Sequence, residues 1–382
     1  MPTSNFHDRI AMLSGTGMLT ARAKMTTILQ SVAAYETWMR AQLGADLVEA
    51  GLAKKHKLMK ADSFSFLRGT YWRWAETILD ICPDLRNAPQ LLAIGDTHLE
   101  NFGTWRDDEG RLVWGANDFD EAAVMPFALD LVRLATSAIL ARGEDGPTPR
   151  VVADSILAGY RRGLRQPSPV VLERDYKWLR NAVLLPNAER KAFWEKYRNL
   201  PPATDPVAER YLKALHEALP DPVTAFEPKP RLAGTGSLGR PRFVAYVEWR
   251  GGPVLREVKA LLQSGWSLKH DASDRNIRTG IIAGGRARSP DPRYQVAGTL
   301  LVRRLSPNSR KIEVEGDAQV LLSPEMLDLM GFEIANCHAN DASLIPGVLA
   351  DLDARGSDWL RAAAKAATVA VGAEQAEFAR KG

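Results

Sequence analysis

The stretch Leu91–Ser137 reads LLAIGDTHLENFGTWRDDEGRLVWGANDFDEAAVMPFALDLVRLATS, and the rest of the chain is organised around it. An apolar run, Leu91 to Ile94, ends in Gly95-Asp96, with His98 and Asn101 at fixed offsets beyond. A second apolar run, RLVWGA at 111–116, ends in the acidic cluster Asn117-Asp118-Phe119-Asp120-Glu121. Short apolar runs bounded by turn residues predict strands. Two strands are therefore expected to deliver carboxylates to one place. A helix from Asp130 to Arg142 should follow, with Leu131, Leu134, Ala135, Ala138 and Ile139 on one face.

Those residue types in that order fit phosphoryl transfer. Such a site needs a carboxylate near the attacking hydroxyl, then an Asn and a second carboxylate to hold Mg²⁺ against nucleotide phosphates. Asp96, Asn101 and Asp118 fit the three roles in sequence order, and Asp120 is a candidate second metal ligand. His98 joins Asp96 in the catalytic set, as a group that orients the carboxylate or the metal loop through a ring N–H. Asn/Asp-rich turns account for Asp107 and Asp108 without any function, but do not require His98 or the repeat of strand followed by acid.

Working outward, Gly234, Gly236 and Gly239 form G-x-G-x-x-G, with Ser237 inside it, and Lys259 follows twenty residues after Gly239. The segment from Arg231 to Leu262 reads as strand, glycine loop, strand, a Gly251-Gly252 turn and a third strand bearing Glu257-Val258-Lys259. Glycines there let backbone N–H groups approach phosphates, and a strand lysine adds a point charge. A dinucleotide fingerprint would need a helix directly after the glycines. Here Arg240-Pro241-Arg242-Phe243-Val244 looks extended, so a strand-loop-strand cover over a nucleotide is the preferred reading.

Taken together, GDTHLEN, NDFDE, GTGSLG and Lys259 resemble the working parts of the protein-kinase-like superfamily. The carboxylate segment is similar to its aminoglycoside and choline phosphotransferase branch. That branch has H-G-D-x-H-x-x-N, then a strand ending I-D-x-[DE], then an Asp-Leu-Ala helix start. Gly95-Asp96, His98, Asn101, Asp118, Asp120 and Asp130-Leu131 occupy those places. More narrowly, FSFLRG at 64–69, GDTHLENFG, NDFDEA and GTGSLG with its downstream lysine resemble the bacterial domain-of-unknown-function family 2252, over roughly residues 55 to 345. The resemblance implies an α+β, two-lobed, protein-kinase-like fold. It also implies ATP and Mg²⁺ as cofactors, a nucleotide and an acceptor as partners, and an acceptor that is a small molecule bearing a hydroxyl. Two departures stand out. The glycine loop and lysine come more than a hundred residues after Asp96, so the lobes are expected to be circularly permuted. From Ala260 to Gly298 there is no Glu to pair with Lys259, leaving Asp271 or Asp274 to substitute for it, or Arg68 and the neighbouring Glu257 to alter the phosphate contacts. Arg68, ahead of a helix, is a candidate phosphate clamp, its alternative being an ion pair with Asp118 or Asp120.

The remaining sequence sets boundaries. Fifty Lys+Arg against 46 Asp+Glu give a net charge of +4, with basic residues scattered in pairs, so no nucleic-acid groove is implied. The first residues, MPTSNFHDRIAML, lack the pattern of a secretory leader, and no 18-residue apolar run occurs, so a soluble, cytoplasmic protein without a membrane partner is expected. Cys82 and Cys337 are in no metal-ligand spacing and read as free buried thiols. A long first helix is expected across 19–50, with Ile28, Val32, Tyr35, Met39, Leu43 and Leu47 on its apolar face and Gly51 as its stop. A second is expected through Tyr71, Trp74, Ala75, Ile78 and Leu79, and helices again at 150–165, 170–197, 206–219 and from Pro324 on. TLLVRRLSPNSRKIEVEG, from 299, suggests a further strand pair. The expected division is a helical segment over 1–62, a mainly helical catalytic lobe over 63–222, a β-rich nucleotide lobe over 223–315 and C-terminal helices over 316–382. The leading functional expectation is a phosphotransferase. A metal-dependent phosphoesterase, a nucleotide-binding pseudokinase and an adenylyl-transferring variant stay open, and no oligomeric state is specified.

Overall fold

The computed structural model describes residues 26–223, 225–309 and 311–382, and among them are ten strands. They are β1 (Gln90–Ala93), β2 (Phe102–Arg106), β3 (Leu112–Ala116), β4 (Ala123–Pro126), β5 (Val170–Val171), β6 (Pro228–Pro230), β7 (Arg242–Trp249), β8 (Gly252–Ala260), β9 (Gln295–Ala297) and β10 (Leu300–Arg304). With the surrounding helices they make a mixed α+β protein whose strand pairs are all antiparallel.

Leu91–Ser137 contains four strands, not two. β1 pairs with β4 as a two-stranded sheet, while β2 and β3 form a hairpin joined at its edge by β5. Leu112–Ala116 is buried throughout, so it lacks the alternation that marks a half-exposed strand. The third sheet has the order β6-β7-β8-β10-β9. Glycine loop, strand, turn and strand run as the sequence suggests, but the β7-β8 turn is centred on Arg250 and Gly251, both at positive φ (47° and 82°), the requirement of a type I′ hairpin. The strand pair expected from 299 is also displaced. β10 pairs with β9, which precedes it, and Val314 begins a helix running to Leu321.

The long helix expected over 19–50 is broken. A helix spans Ile28–Leu43, capped by Thr27 and Gln30 in a capping box, and Gly44 ends it at φ +55°. A second helix, Glu49–Ala61, contains Gly51 instead of stopping there. Residues 19–25 lie outside the described residues. The 170–197 helix is likewise divided into Lys177–Val183 and Asn187–Arg198, with Pro186 at the break. Asp62 caps the helix Ser63–Gly69 by accepting from Ser65 N at 2.7 Å, and Tyr71–Ile81 follows with Trp72 and Trp74 buried.

The helix Ala128–Ala141 lies at the centre, with every residue from Ala128 to Ala138 buried. Leu131 and Leu134 are completely buried, each contributing about 2 kcal/mol of transfer free energy. Helices Pro149–Arg165 and Pro324–His338 cross backbone to backbone. A methyl on Gly159 would lie 1.7 Å from Asp328 O, and one on Gly331 2.1 Å from Ile156 O. Cys82 and Cys337 are free and buried. Among the described residues no helix is long and apolar enough to cross a membrane.

Candidate functional site

The loop carrying Asp96 is bolted to the central helix. Asp130, fully buried, accepts from Ile94 N at 2.8 Å and Gly95 N at 2.9 Å, and its Oδ2 lies 2.9 Å from His338 Nε2. Tyr160 Oη is 2.8 Å from the other ring nitrogen of His338, so this histidine is a satisfied interior residue. Thr97 Oγ1 donates to Asp130 O and Leu99 N to Ser137 Oγ, at 2.7 and 3.1 Å. Gly95 sits at φ +88°, where a methyl would come 2.3 Å from Glu121 O, so only glycine brings the β1 end this close to the acidic cluster.

Asp96 is gripped by Arg133, a residue with no place in the sequence-derived site. Its Oδ1 accepts from Arg133 Nε at 2.9 Å and Nη2 at 2.5 Å. Arg133 is fully buried between the rings of Tyr71 and Trp74, at 5.0 and 5.1 Å, and also donates to Leu67 O at 2.8 Å. Burial pushes the Asp96 carboxyl above its ordinary range, with Arg133 pulling the other way. The single basic residue inside the apolar run ALDLVRLATSAILA was the available signal for Arg133, since a buried charge requires a partner.

His98 is buried, and its Nδ1 accepts from Glu100 N at 3.1 Å, so at that nitrogen the ring accepts instead of donating. Burial, then Arg68, Lys311 and Arg133, hold it well below the ordinary histidine value, so it is neutral. Asn101 bridges the two loops, its Nδ2 donating to Asp96 O at 2.9 Å and Asp118 O at 3.1 Å. Its Oδ1 is buried and has no hydrogen-bond partner among the described residues.

Lys259, 1% exposed, reaches across from β8 to the acidic cluster. Its Nζ lies 3.2 Å from Asp118 Oδ1 and 2.6 Å from Asp120 Oδ1. Neither Asp271 nor Asp274 takes the place of the missing glutamate; they bind Ser273 and Arg278. Lys311 approaches Asp118 Oδ2 at 3.7 Å. Burial opposes the Asp118 charge, but Lys259 and Lys311 outweigh it and hold that carboxyl well below the usual range. Lys311 itself is pushed down to about 8, chiefly by burial. Nothing in its surrounding sequence marks Lys311. It is placed by an isolated bridge between its own backbone and Gly103.

The glycine loop closes over Asp96. A methyl on Gly236 would lie 3.3 Å from Asp96 Oδ2. The helix Glu49–Ala61 holds the loop from above: Lys55 Nζ donates to Gly236 O at 3.0 Å, Val48 N donates to Gly239 O at 2.9 Å, and a methyl on Gly51 would meet Gly239 N at 2.6 Å. From below, Arg242 donates to Ser237 Oγ at 2.7 Å. Arg68 pairs with Glu100 at 2.7 Å, and with neither Asp118 nor Asp120.

Arg68, Asp96, His98, Asn101, Asp118, Asp120, Gly234, Gly236 and Ser237 thus line one cavity of about 50 Å³. Lys259 stands behind the aspartates and Gly239 against the helix. That volume holds a few waters, so a phosphate chain enters only if the loop lifts. Beyond Lys311 opens a second cavity of about 470 Å³. Among the described residues no group of three or more His, Cys, Asp or Glu side chains is placed to hold a metal. A cation on Asn101 Oδ1 and Asp118 would complete its shell with phosphate and water oxygens, which suits Mg²⁺.

No curated protein and no solved structure matches the chain. Over residues 47–170, which carry Asp96 to Asp130 but stop short of the glycine loop and Lys259, the chain is similar to a family described as uncharacterized proteins conserved in bacteria, domain-of-unknown-function family 2252.

Proposed function

We propose that the chain is an ATP- and Mg²⁺-dependent phosphotransferase of two-lobed, circularly permuted, kinase-like fold, acting on a hydroxyl acceptor. The observation that carries this reading is the contact of Lys259 with Asp118 and Asp120, which joins parts of the chain about 140 residues apart. In protein kinases the lysine on the third strand of the nucleotide-binding lobe and the metal-binding aspartate serve the same phosphates. β8 is the third strand of the sheet counted from β6, and the glycine loop joins β6 to β7.

In this reading Asn101 and Asp118 hold Mg²⁺, with Asp120 as a further ligand, and the ion would neutralise charge on the transferring phosphoryl group. Lys259 exchanges its carboxylate partners for phosphate oxygens as the glycine loop lifts. Asp96 Oδ2, left over from the Arg133 pair, orients the acceptor hydroxyl. Because Oδ1 is bound twice to a guanidinium, Asp96 positions the acceptor more than it takes up the proton. The same pairing and the closed loop favour one second reading, a pseudokinase that binds nucleotide without turnover.

Calorimetry with Mg²⁺ and a non-hydrolysable ATP analogue tests the site. Binding is expected in the unaltered chain and lost in Asp118→Ala, whereas unchanged binding removes the metal assignment. With a panel of acceptors, ADP release identifies a phosphotransferase, AMP release an adenylyl transferase, and binding without release a pseudokinase. Hydrolysis of a generic phosphate ester without nucleotide identifies a phosphoesterase.

A further inference from the structure

We infer that the 470 Å³ cavity beyond Lys311 is a binding site for a small anion carrying a flat ring. It lies between Arg303 and Arg304 of β10 on one side and Thr104, Trp105 and Ala116 on the other, and its size suits a small-molecule ligand.

The charge of its lining points to an anion. Glu257, completely buried, is the single carboxylate shared by Arg231, Arg242 and Arg303, with Arg242 Nη1 and Arg303 Nε each 2.8 Å from its Oε1. Of these only Arg231 and Arg303 line the cavity; with Arg288, Arg304 and Lys311 they make five cationic side chains in the lining against the two acids Asp291 and Glu313. Lys311, at the boundary with the smaller cavity, faces Asp118 at 3.7 Å. Guanidinium groups bind phosphates and carboxylates with paired, charge-assisted hydrogen bonds.

Unpartnered groups supply a second, independent indication. Among the lining residues, Asn117 Oδ1, Arg288 Nε and Nη1, and the Tyr294 hydroxyl are buried without a hydrogen-bond partner among the described residues. Buried polar atoms are nearly always satisfied, so a cluster of exceptions around one cavity marks the place of a missing ligand or water. The Arg288 guanidinium is paired with Glu333 at 3.1 Å and lies on the rings of Phe119 and Trp105, at 4.7 and 5.3 Å, and a planar guanidinium held in this way is itself a surface on which a flat ring stacks.

Neither Asp96 chemistry nor a metal on Asp118 is needed for this site. A donor nucleotide and a separate anionic acceptor share the required features, and the test distinguishes them. The probe is phenyl phosphate, titrated into the full chain by calorimetry, with inorganic phosphate and benzyl alcohol as its two halves. Phenyl phosphate is expected to bind at least tenfold more tightly than either half. Arg303→Leu and Tyr294→Phe should each weaken it at least threefold, while Asp118→Ala stays within twofold. Arg303→Leu removes one partner of a buried carboxylate, so its folding is checked by circular dichroism. If it does not fold, Tyr294→Phe, which keeps the ring, decides alone. Absence of binding at millimolar concentration, equal affinity for the halves, or full affinity in the variants overturns the inference. Displacement by the Mg²⁺-loaded ATP analogue upholds the site as the donor's, and simultaneous binding upholds it as the acceptor's. Loss of the ATP analogue in Asp118→Ala with phenyl phosphate retained shows that the two sites have separate determinants.

Discussion

Asp130 and Asp118 stand twelve residues apart and receive opposite treatment from the fold. Asp130 is fully buried, and its oxygens are taken by two backbone N–H groups and by His338. Asp118 is 30% exposed at its side chain, faces two lysine ammonium groups, and lies beside an Asn101 oxygen with no partner among the described residues. Backbone donors cannot leave without unfolding the loop, whereas a lysine side chain can exchange one anionic partner for another by turning about its own bonds. One aspartate is therefore a fixed anchor, and the other has the exchangeable partners that a ligand site requires.

The sharpest way to break this contrast is to remove each carboxylate. Asp130→Ala orphans two buried N–H groups and should cost about 3–5 kcal/mol in urea denaturation. Asp118→Ala should cost about 1 kcal/mol or less, because Lys259 keeps Asp120. Equal losses would erase the distinction. Next in size is Gly95→Ala, where strain at φ +88° adds to the collision with Glu121 O, for about 3 kcal/mol. The matched control, Gly110→Ala at φ +76° in open space, should lose only about 1 kcal/mol, and a similar loss at both positions would deny the close approach.

A smaller effect concerns the closed glycine loop. Burial pushes Lys55 from its ordinary 10.5 down to about 7. Between those values the unfolded chain binds the proton and the folded chain does not, so this residue makes stability rise with pH from about 7 towards 10.5. Lys55→Met should flatten that rise, as measured by denaturation at pH 7 and pH 10, and an unchanged slope would place the lysine in solvent. The smallest effect expected is for Tyr294→Phe without ligand. It removes a hydroxyl with no partner among the described residues and should shift stability by no more than about 0.5 kcal/mol.

The candidate catalytic and metal loops were legible because their chemistry is local. Turn formation alone does not demand Gly-Asp, His and Asn at the end of a strand, and NDFDE repeats the pattern of strand followed by acid. The pairing of β1 with β4 was not legible, since four-residue apolar strands carry no label for their partner. Gly44 gave no sign of breaking the first helix because apolar spacing continues across it to Leu47. The alternative to a phosphate clamp at Arg68 is an ion pair with Asp118 or Asp120, yet another acid, Glu100, claims it. Arg133 was hidden by its place in a helix whose apolar face dominates its pattern.

By itself the sequence determined which residue types stand at the ends of which short elements, because turns, caps and glycine positions depend on neighbours a few residues away. It also limited the thiols to two, now seen as free and buried. Only the tertiary structure decided that Lys259 reaches Asp118 and Asp120, that Arg133 grips Asp96, and that Arg231, Arg242 and Arg303 converge on Glu257. Long side chains carry charge several ångströms from their backbone, so their partners are chosen by how helices and sheets pack, and no spacing along the chain encodes that choice.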